Sequence, residues 1–429
     1  MKTKLFIVVL TIMVLVGIPL FADFDLESFK PTDDNEYKLV TEPFLGTNIR
    51  SMGMGGAGLG VRGYHDSFLM NPANLSKSGF TLSLPSVTVT AFNAQKILAS
   101  GALDLLLSDD EDQVTDGAVE ILKTIKKNYS DVLTTDVSTA FTLGGFGLAI
   151  EAQERLMAFR EDTFMTANMI AQLTAAVTLG FGMRINAVPN ILSIDLGLNV
   201  QAVYKTYLTA LTASPIISKW MEGEGKFEEL KPLLLNETPL VAGWAVPISI
   251  GANFNFPYGL SLSAVARNIN GNYTMTTYGS LNDWGETLLK KRFTEDAPKN
   301  SAILEEGWTM ESPWSLDFGF TWAPTFLGNI IKPTIAIDVV DVMAMGGKQA
   351  DELTQSFLEQ TRLGASVRLL SMFDVRYGLN QGYQSIGVGF DLLVFHIDAA
   401  YYTLNYGSGL RLPSWATSSS PPSPSMWLM

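Results

Sequence analysis

The sequence predicts an all-β protein, an antiparallel β-barrel that crosses a membrane. Three observations predict it. The N-terminus reads as an export signal: Lys2 and Lys4 precede an apolar run from Leu5 to Leu20, with the small residue Ala22 at its exit. The chain is 47% hydrophobic and only 17% charged, where a soluble protein carries about 25% charged residues. Yet no later stretch offers the ~18 uncharged apolar residues of a spanning helix. Finally, segment after segment alternates apolar and polar residues with a period of two. Lipid admits only helices and closed barrels, so an exported, apolar chain without spanning helices points to a barrel.

Residues 1–22 are expected to be a signal peptide cleaved after Ala22. A membrane-anchoring helix is the competing reading, but the run is shorter than the ~20 residues needed to span, and Asp23 and Asp25 follow at once. Residues 23–47 form a polar lead-in punctuated by Pro31 and Asp33-Asp34. Next comes a glycine-rich stretch, Arg50-Ser51-Met52-Gly53-Met54-Gly55-Gly56-Ala57-Gly58-Leu59-Gly60, which runs on to Asp66 and to Asn71-Pro72-Ala73-Asn74-Leu75. Gly53 to Gly58 loosely fits G-x-G-x-x-G, but that fingerprint needs a strand before it and a helix after it. Pro43 to Asn48 make a poor strand, and the glycines continue to Gly60 and Gly63. A plain surface loop would use the same Gly, Asn and Pro.

The stretch resembles the N-terminal hatch of the FadL family of outer-membrane transporters for hydrophobic compounds, and most nearly its spirochaetal branch. Those hatches read roughly Arg-Ala-x-Gly-x-Gly-x-Ala, then Asp, then Asn-Pro-Ala-x-Leu. The matching positions are Arg50, Gly53, Gly55 or Gly56, Ala57, Asp66, Asn71, Pro72, Ala73 and Leu75. The letters match only over residues 48–76; the rest matches in architecture. The resemblance implies a barrel of about 14 strands in the bacterial outer membrane, over residues 79–406. A hatch at 23–78 plugs its lumen, and helical loops lie outside. It further implies a monomer without cofactor, surrounded by outer-membrane lipid, that takes up hydrophobic small molecules such as long-chain fatty acids. Such a molecule lands on an external apolar groove, moves to a lumen pocket, and leaves when the hatch changes, in some members sideways through the wall. Each step takes apolar surface out of water.

The strands are expected at 80–94, 133–143, 146–158, 164–185, 192–212, 241–256, 259–278, 313–324, 333–343, 361–370, 373–381, 384–392 and 394–406. The clearest places Ile194, Leu196, Leu198 and Val200 on one face and Asp195, Gly197, Asn199 and Gln201 on the other. A helix, with its period of 3.6, could not separate them so. Aromatics near strand ends (Tyr204 and Tyr207, Phe256 and Tyr258, Trp314 and Trp322, Tyr401 and Tyr402) are expected to form interfacial girdles. Short turns at 144–145, 256–259 and 371–373 alternate with long connections at 95–132, 213–240, 279–312 and 344–360, the asymmetry of porins. Helical patterns occur at 97–107, 117–127 and 213–240. In the last, Trp220, Phe227, Leu230 and Leu233 are candidates for the external groove.

The C-terminus fits poorly. The pattern yields one strand fewer than the family's barrel, and after Gly407 the chain runs into Ser-Pro sequence with Pro421, Pro422 and Pro424. Prolines exclude a central strand. Residues 407–429 are therefore expected to be an atypical tail whose final strand is either altered, as by a frame shift, or weak and hidden at 406–412 or 425–429.

No catalytic constellation is visible, and the chain is not expected to be an enzyme. Asp195, Asp317, Asp338, Asp391 and Asp398 alternate with apolar neighbours and should face the lumen. There they should pair with Arg155, Arg184, Arg267, Arg368 and Arg376, rather than act in acid–base chemistry. No serine sits in a G-x-S-x-G elbow. With no cysteine and only His65 and His396, no metal site is expected. The net charge of −14 argues against nucleic acid, which needs a basic surface. Arg155 or Arg160 are candidates for the head group of a fatty acid. The rival to uptake is a non-transporting outer-membrane protein, an adhesin or secretion partner; the plug disfavours a general diffusion porin.

Overall fold

The computed structural model describes residues 40–428 apart from 47, 84, 93, 107, 109, 111–112, 114–115, 118–119, 122, 124–127, 161–167, 209–210, 213–234, 237–238, 291–292, 294–302, 325–329, 347, 349, 393–394 and 404–423. Among the described residues, nineteen hydrogen-bonded segments form one antiparallel sheet closed on itself. Five of them continue a neighbour across a break, so fourteen strands ring the lumen. In chain order these are β1 (Thr81–Leu82 and Ser86–Phe92), β2 (Asn128–Leu143), β3 (Phe146–Arg160), β4 (Asn168–Val188), β5 (Leu192–Leu208, continued by Leu211–Thr212) and β6 (Leu240–Ala245 and Ile248–Asn255). There follow β7 (Leu260–Ile269 and Tyr273–Tyr278), β8 (Ile303–Met310 and Ser315–Trp322), β9 (Ile331–Val339), β10 (Thr361–Leu369), β11 (Phe373–Asn380), β12 (Tyr383–Leu392), β13 (Phe395–Thr403) and β14 (Pro424–Leu428).

Closure comes from the tail. β14 pairs with β13 from Thr403↔Pro424 to Ala399↔Leu428, and with β1 from Ser425↔Phe92 to Leu428↔Val89. The closing strand absent from the alternation directly after Gly407 is thus the short one at Pro424–Leu428. Pro424 is tolerated because it stands first in the strand, where its missing N–H costs least. The second departure from expectation is the first half of β8, which occupies part of the presumed loop 279–312. It pairs with β7 through Tyr273↔Met310 and Tyr278↔Ile303, with two register shifts. Its Glu305-Glu306-Gly307 hides the alternation.

The two faces separate as the period of two requires. Leu196, Leu198, Val200, Ile250, Phe318, Ile386 and Val388 are exposed on the outside, while Asp195, Asn199, Asn253, Asp317 and Ser385 are buried inside. An apolar outer wall with no free sheet edge is the form that lipid accepts. Among the described residues no helix is long and apolar enough to cross a membrane. Connections at one end are short turns, as at Gly144-Gly145 and Leu370–Met372; at the other, apart from the two-residue turn Gln381-Gly382, they are longer and partly helical, with Ala94–Ala99, Ala102–Leu106, Leu281–Leu289 and Ala350–Gln360. Two residues expected in the aromatic girdles, Tyr207 and Tyr402, instead point inward and are 3% and 2% exposed. The alternation explains this: Tyr207 shares a face with Val203 and Lys205, and Tyr402 with Asp398 and Ala400.

Many charged residues inside the barrel are ion-paired. Arg184 holds Asp195 through two bonds of 2.5 and 2.7 Å. Arg376 bridges Asp374 at 2.9 Å and Asp398 at 2.6 Å. Arg267 pairs with Asp317, and Arg368 with Asp391. Arg155 holds Asp131 in a two-pronged pair at 2.5 and 3.1 Å. Each carboxylate expected to face the lumen does so; four of the five pair with an arginine, whereas Asp338 departs from expectation and is held by the Gly58 and Leu59 N–H groups, so that each buried charge still has partners.

Candidate functional site

The glycine-rich stretch lies inside the barrel and is seated on its wall. Helix α1 (Ile49–Gly53) is capped by Asn48, whose side chain accepts from the Ser51 N–H at 2.8 Å. Gly55 and Gly56 then turn the chain with φ of +70° and +82°, a region that glycine enters without steric cost. A Cβ on Gly55 would also lie 2.6 Å from the Leu363 carbonyl and from both the N and O of Leu379. Met54 and Ala57 pack on Ala336 of β9. Helix α2 (Ser67–Met70) and the 3-10 turn Pro72–Lys77 follow. Proline starts that turn where its missing N–H would be unpaired anyway.

Asn71 is fully buried and is the centre of the seat. Its amide donates to the Leu59 carbonyl at 3.1 Å and to Asn253 Oδ1 of β6 at 2.8 Å, while its own Oδ1 accepts from the Ala73 N–H at 3.0 Å. Asn253 in turn donates to Asn74 Oδ1 at 3.0 Å. Asp338 of β9 accepts from the Gly58 and Leu59 N–H groups at 2.6 and 2.9 Å. Arg62 pairs with Asp195 at 2.9 Å, and Arg267 donates to the Leu69 and Met70 carbonyls. Backbone groups that no strand can satisfy are therefore met by wall side chains, as burial demands.

Wall glycines make the seat. A Cβ on Gly197 of β5 would overlap the Pro72–Ala73 peptide, one on Gly251 of β6 the Asn71 side chain, one on Gly378 of β11 the Met54–Gly55 peptide, and one on Gly387 of β12 the Gly53 backbone. These residues stand at inward positions of strands, where other rows carry Asp or Asn. The period-two reading places Gly197 on the polar face of its strand without showing its use. The signal was there, since glycine within a strand marks a close approach of another backbone.

Of the hatch candidates, Arg50 and Asp66 meet at 4.0 Å, and Asn48 donates to Asp66 at 2.7 Å. Arg50 lies 3.6 Å over the Tyr64 ring and donates to His396 Nε2 at 2.6 Å, with Asp398 at 3.7 Å. His396 also contacts Asp391 and Asp398. Burial, above all, pushes the His65 imidazole below its ordinary value; Asp66 and Asp398 oppose this, and Arg50 and His396 add to it.

Two cavities flank the hatch. One of about 1130 Å³ opens at the short-turn end, between Arg62, Arg184, Asn255 and Arg368. The other, of about 410 Å³, lies toward the long connections, between Leu45, Ile49, Met52, Leu59, Leu69 and Trp314. Beyond it part of the inner wall is apolar. Met157, Ile170, Val203, Tyr207, Val241, Tyr273, Met275 and Met310 form one buried cluster, and Val40 and Phe44 of the lead-in pack into it.

Beside this chamber the wall is interrupted. β6 breaks at 246–247, β7 at 270–272 and β8 at 311–314, three neighbours at one level. Pro247 and Pro313 bring no N–H to the ladder, and Asn268 and Asn270 take φ of +56° and +59°. Side chains bridge the seam instead. Asn268 Nδ2 donates to the Ser312 and Pro313 carbonyls at 3.2 and 2.8 Å, and Asn270 Nδ2 to the Val246 carbonyl at 3.2 Å.

Arg155 faces this chamber and Arg160 ends β3, but the side chain of Arg160 lies outside the described residues. So do Trp220, Phe227, Leu230 and Leu233, the residues expected to form an external groove.

No family model matches the chain, and no curated protein matches it. Solved structures do. The toluene transporter TbuX of Ralstonia pickettii is similar at 12% identity over 89% of this chain and 97% of its own, with a TM-score of 0.43. The toluene transporter TodX of Pseudomonas putida is similar at 9% identity over 90% and 97%, with a TM-score of 0.42. A FadL homologue of Pseudomonas aeruginosa is similar at 10% identity over 89% and 97%, with a TM-score of 0.40. At these scores the likeness adds nothing to the geometry described above.

Proposed function

We propose that this chain is an outer-membrane channel for the uptake of hydrophobic molecules, long-chain fatty acids foremost, with release controlled by the hatch. One observation carries this reading. Barrel interiors are polar by default, yet on the long-connection side of the hatch Met157, Tyr207, Tyr273, Met275 and Met310 line an apolar chamber in which Val40 and Phe44 are packed. A chamber of this kind draws an apolar solute out of water, whereas a water-filled porin has no use for it. The hatch residues Arg50, Gly53, Gly55, Ala57, Asp66, Asn71, Pro72 and Ala73 would then be the gate, held by side-chain bonds that can exchange. The seam across β6, β7 and β8 supports a sideways exit, because fewer ladder bonds close the wall there and the inner cavity reaches Pro313 and Trp314 at its edge. A lateral exit spares the solute the polar, ion-paired half of the lumen.

Native mass spectrometry on protein extracted gently from its own outer membrane tests this. The expected result is a stoichiometric hydrophobic ligand that is lost on Met275→Asp, a change that places charge in the chamber. A barrel that emerges empty and also ignores added long-chain fatty acid would overturn the reading.

A further inference from the structure

The larger cavity, of about 1130 Å³, opens at the short-turn end of the ring, the end that outer-membrane barrels turn to the periplasm. Among the described residues its lining carries five cations, Arg62, Lys77, Arg184, Lys332 and Arg368, and no carboxylate. Two carboxylates behind the lining answer these charges only in part. Asp195 is shared by Arg62 at 2.9 Å and Arg184 at 2.5 Å. Asp391 pairs with Arg368 but also contacts His396. Lys77 and Lys332 are exposed and, among the described residues, have no carboxylate partner. Lys332 stands directly opposite Arg368 in the ladder of β9 and β10, an arrangement of like charges that costs stability. A mouth lined by one sign of charge focuses its field on what approaches it. We propose that this mouth is the docking site for an acidic, extended segment of a periplasmic partner protein, which lies across it against the underside of the hatch. This goes beyond the uptake reading and needs only the barrel and its orientation.

Four observations choose that occupant. The cations do not converge. Arg184 stands on β4, and Lys332 and Arg368 on β9 and β10, five and six strands away round a ring of fourteen. The two groups face each other across the mouth instead of closing on one small anion, and a chain with several carboxylates spans them. The lining positions on the strands point into the ring, so the head groups of the surrounding bilayer do not reach them. The floor is the hatch itself, at Arg62, Gly63 and Tyr64. Gly63 has φ of +88°, nothing within 4 Å of where a Cβ would stand, and no hydrogen bond among the described residues. An open stretch of backbone offers bonds to a second backbone, which a peptide has and a phosphate lacks. Lastly, the chain as a whole carries −14, so an acidic segment is repelled elsewhere and drawn to this mouth, which gives selectivity.

The test measures binding of fluorescein-labelled octaglutamate to the full chain in nanodiscs of zwitterionic phosphatidylcholine. Saturable binding that weakens as salt rises is expected, with no binding of octalysine. Lys77→Gln combined with Lys332→Gln is expected to weaken octaglutamate roughly tenfold, since each exposed charge contact is worth a few-fold. A polyethylene glycol maleimide on Thr334→Cys, in a chain with no cysteine of its own, is expected to abolish binding by filling the mouth; it decides the matter if the double variant fails to fold. Octaglutamate that does not bind at low salt, or that binds the double variant or the blocked chain as well as the native one, would overturn the docking site. Displacement by inorganic phosphate at the same concentration of charge would assign the mouth to small anions and overturn the peptide occupant. None of these outcomes touches the uptake reading, because the apolar chamber lies on the other side of the hatch.

Discussion

Asn71 shows how much of the hatch hangs on one side chain. Its amide is the joint between the Leu59 carbonyl and Asn253, and its carbonyl closes the turn that Pro72 begins. Asn71→Ala leaves buried polar groups short of a partner and should cost about 1–3 kcal/mol of hatch docking. Hydrogen exchange at the Leu59 and Ala73 amides measures it; unchanged protection would show that the seat does not depend on this residue. His65 adds a dependence on pH. Burial lowers its value from the ordinary 6.5, so the seated hatch prefers the neutral ring. Above pH 6.5 the seated and released states are both neutral and docking is intact. As pH falls below it the released state takes the proton first, so docking weakens with acid. The charged neighbours Arg50, Asp66, His396 and Asp398 enter the same balance. Hatch protection against exchange should decline below pH 6.5 in the native chain and decline less in His65→Gln. Equal decline in both would assign the effect to the carboxylates.

At the scale of elements, strand and hatch are matched surfaces. A strand that bears glycine where the hatch backbone presses against it is weaker on its own, since glycine gives up packing and conformational restraint. β5, β6, β11 and β12 accept that cost because the hatch fills the space. Gly197→Ala should leave the outer apolar face and the ladder intact while unseating Pro72–Ala73, at the ~1–3 kcal/mol typical of overpacking. The expected signature is a folded, heat-modifiable barrel with raised single-channel conductance in planar bilayers; an unaltered conductance would mean that the hatch does not depend on this contact. Most strands were legible in the sequence to within a few residues, since each carries its own alternation. The first half of β8 was not, because Glu305 and Glu306 interrupt the pattern and its place is set by pairing with Tyr273–Tyr278. The seat was half legible: Asn71 and Pro72 stand out by type, but their wall partner Asn253 lies 182 positions away in the chain from Asn71.

The whole molecule is a ring, and a ring is only as good as its closure. β14 supplies the bonds that β13 and β1 would otherwise lack, and each unmet backbone group in lipid costs several kcal/mol. Removal of residues 424–429 should therefore abolish the heat-modifiable folded form on gels, whereas removal of a similar length from the long connections should not. A folded, heat-modifiable barrel without β14 would show that the ring closes by another route. The sequence by itself determined the class of architecture. Alternation, low charge and the absence of a spanning helix are local properties that single windows of the chain display, and lipid leaves few structures that satisfy them. It determined too that the lumen would hold paired charge, because Asp and Arg fall on the face opposite the apolar one. Only the tertiary structure decided where the ring closes, which glycines bear the hatch, where the wall is interrupted and what fills the chamber. Each of those depends on residues far apart in the chain meeting across the lumen, and a period of two says which face a side chain takes but not what stands opposite it.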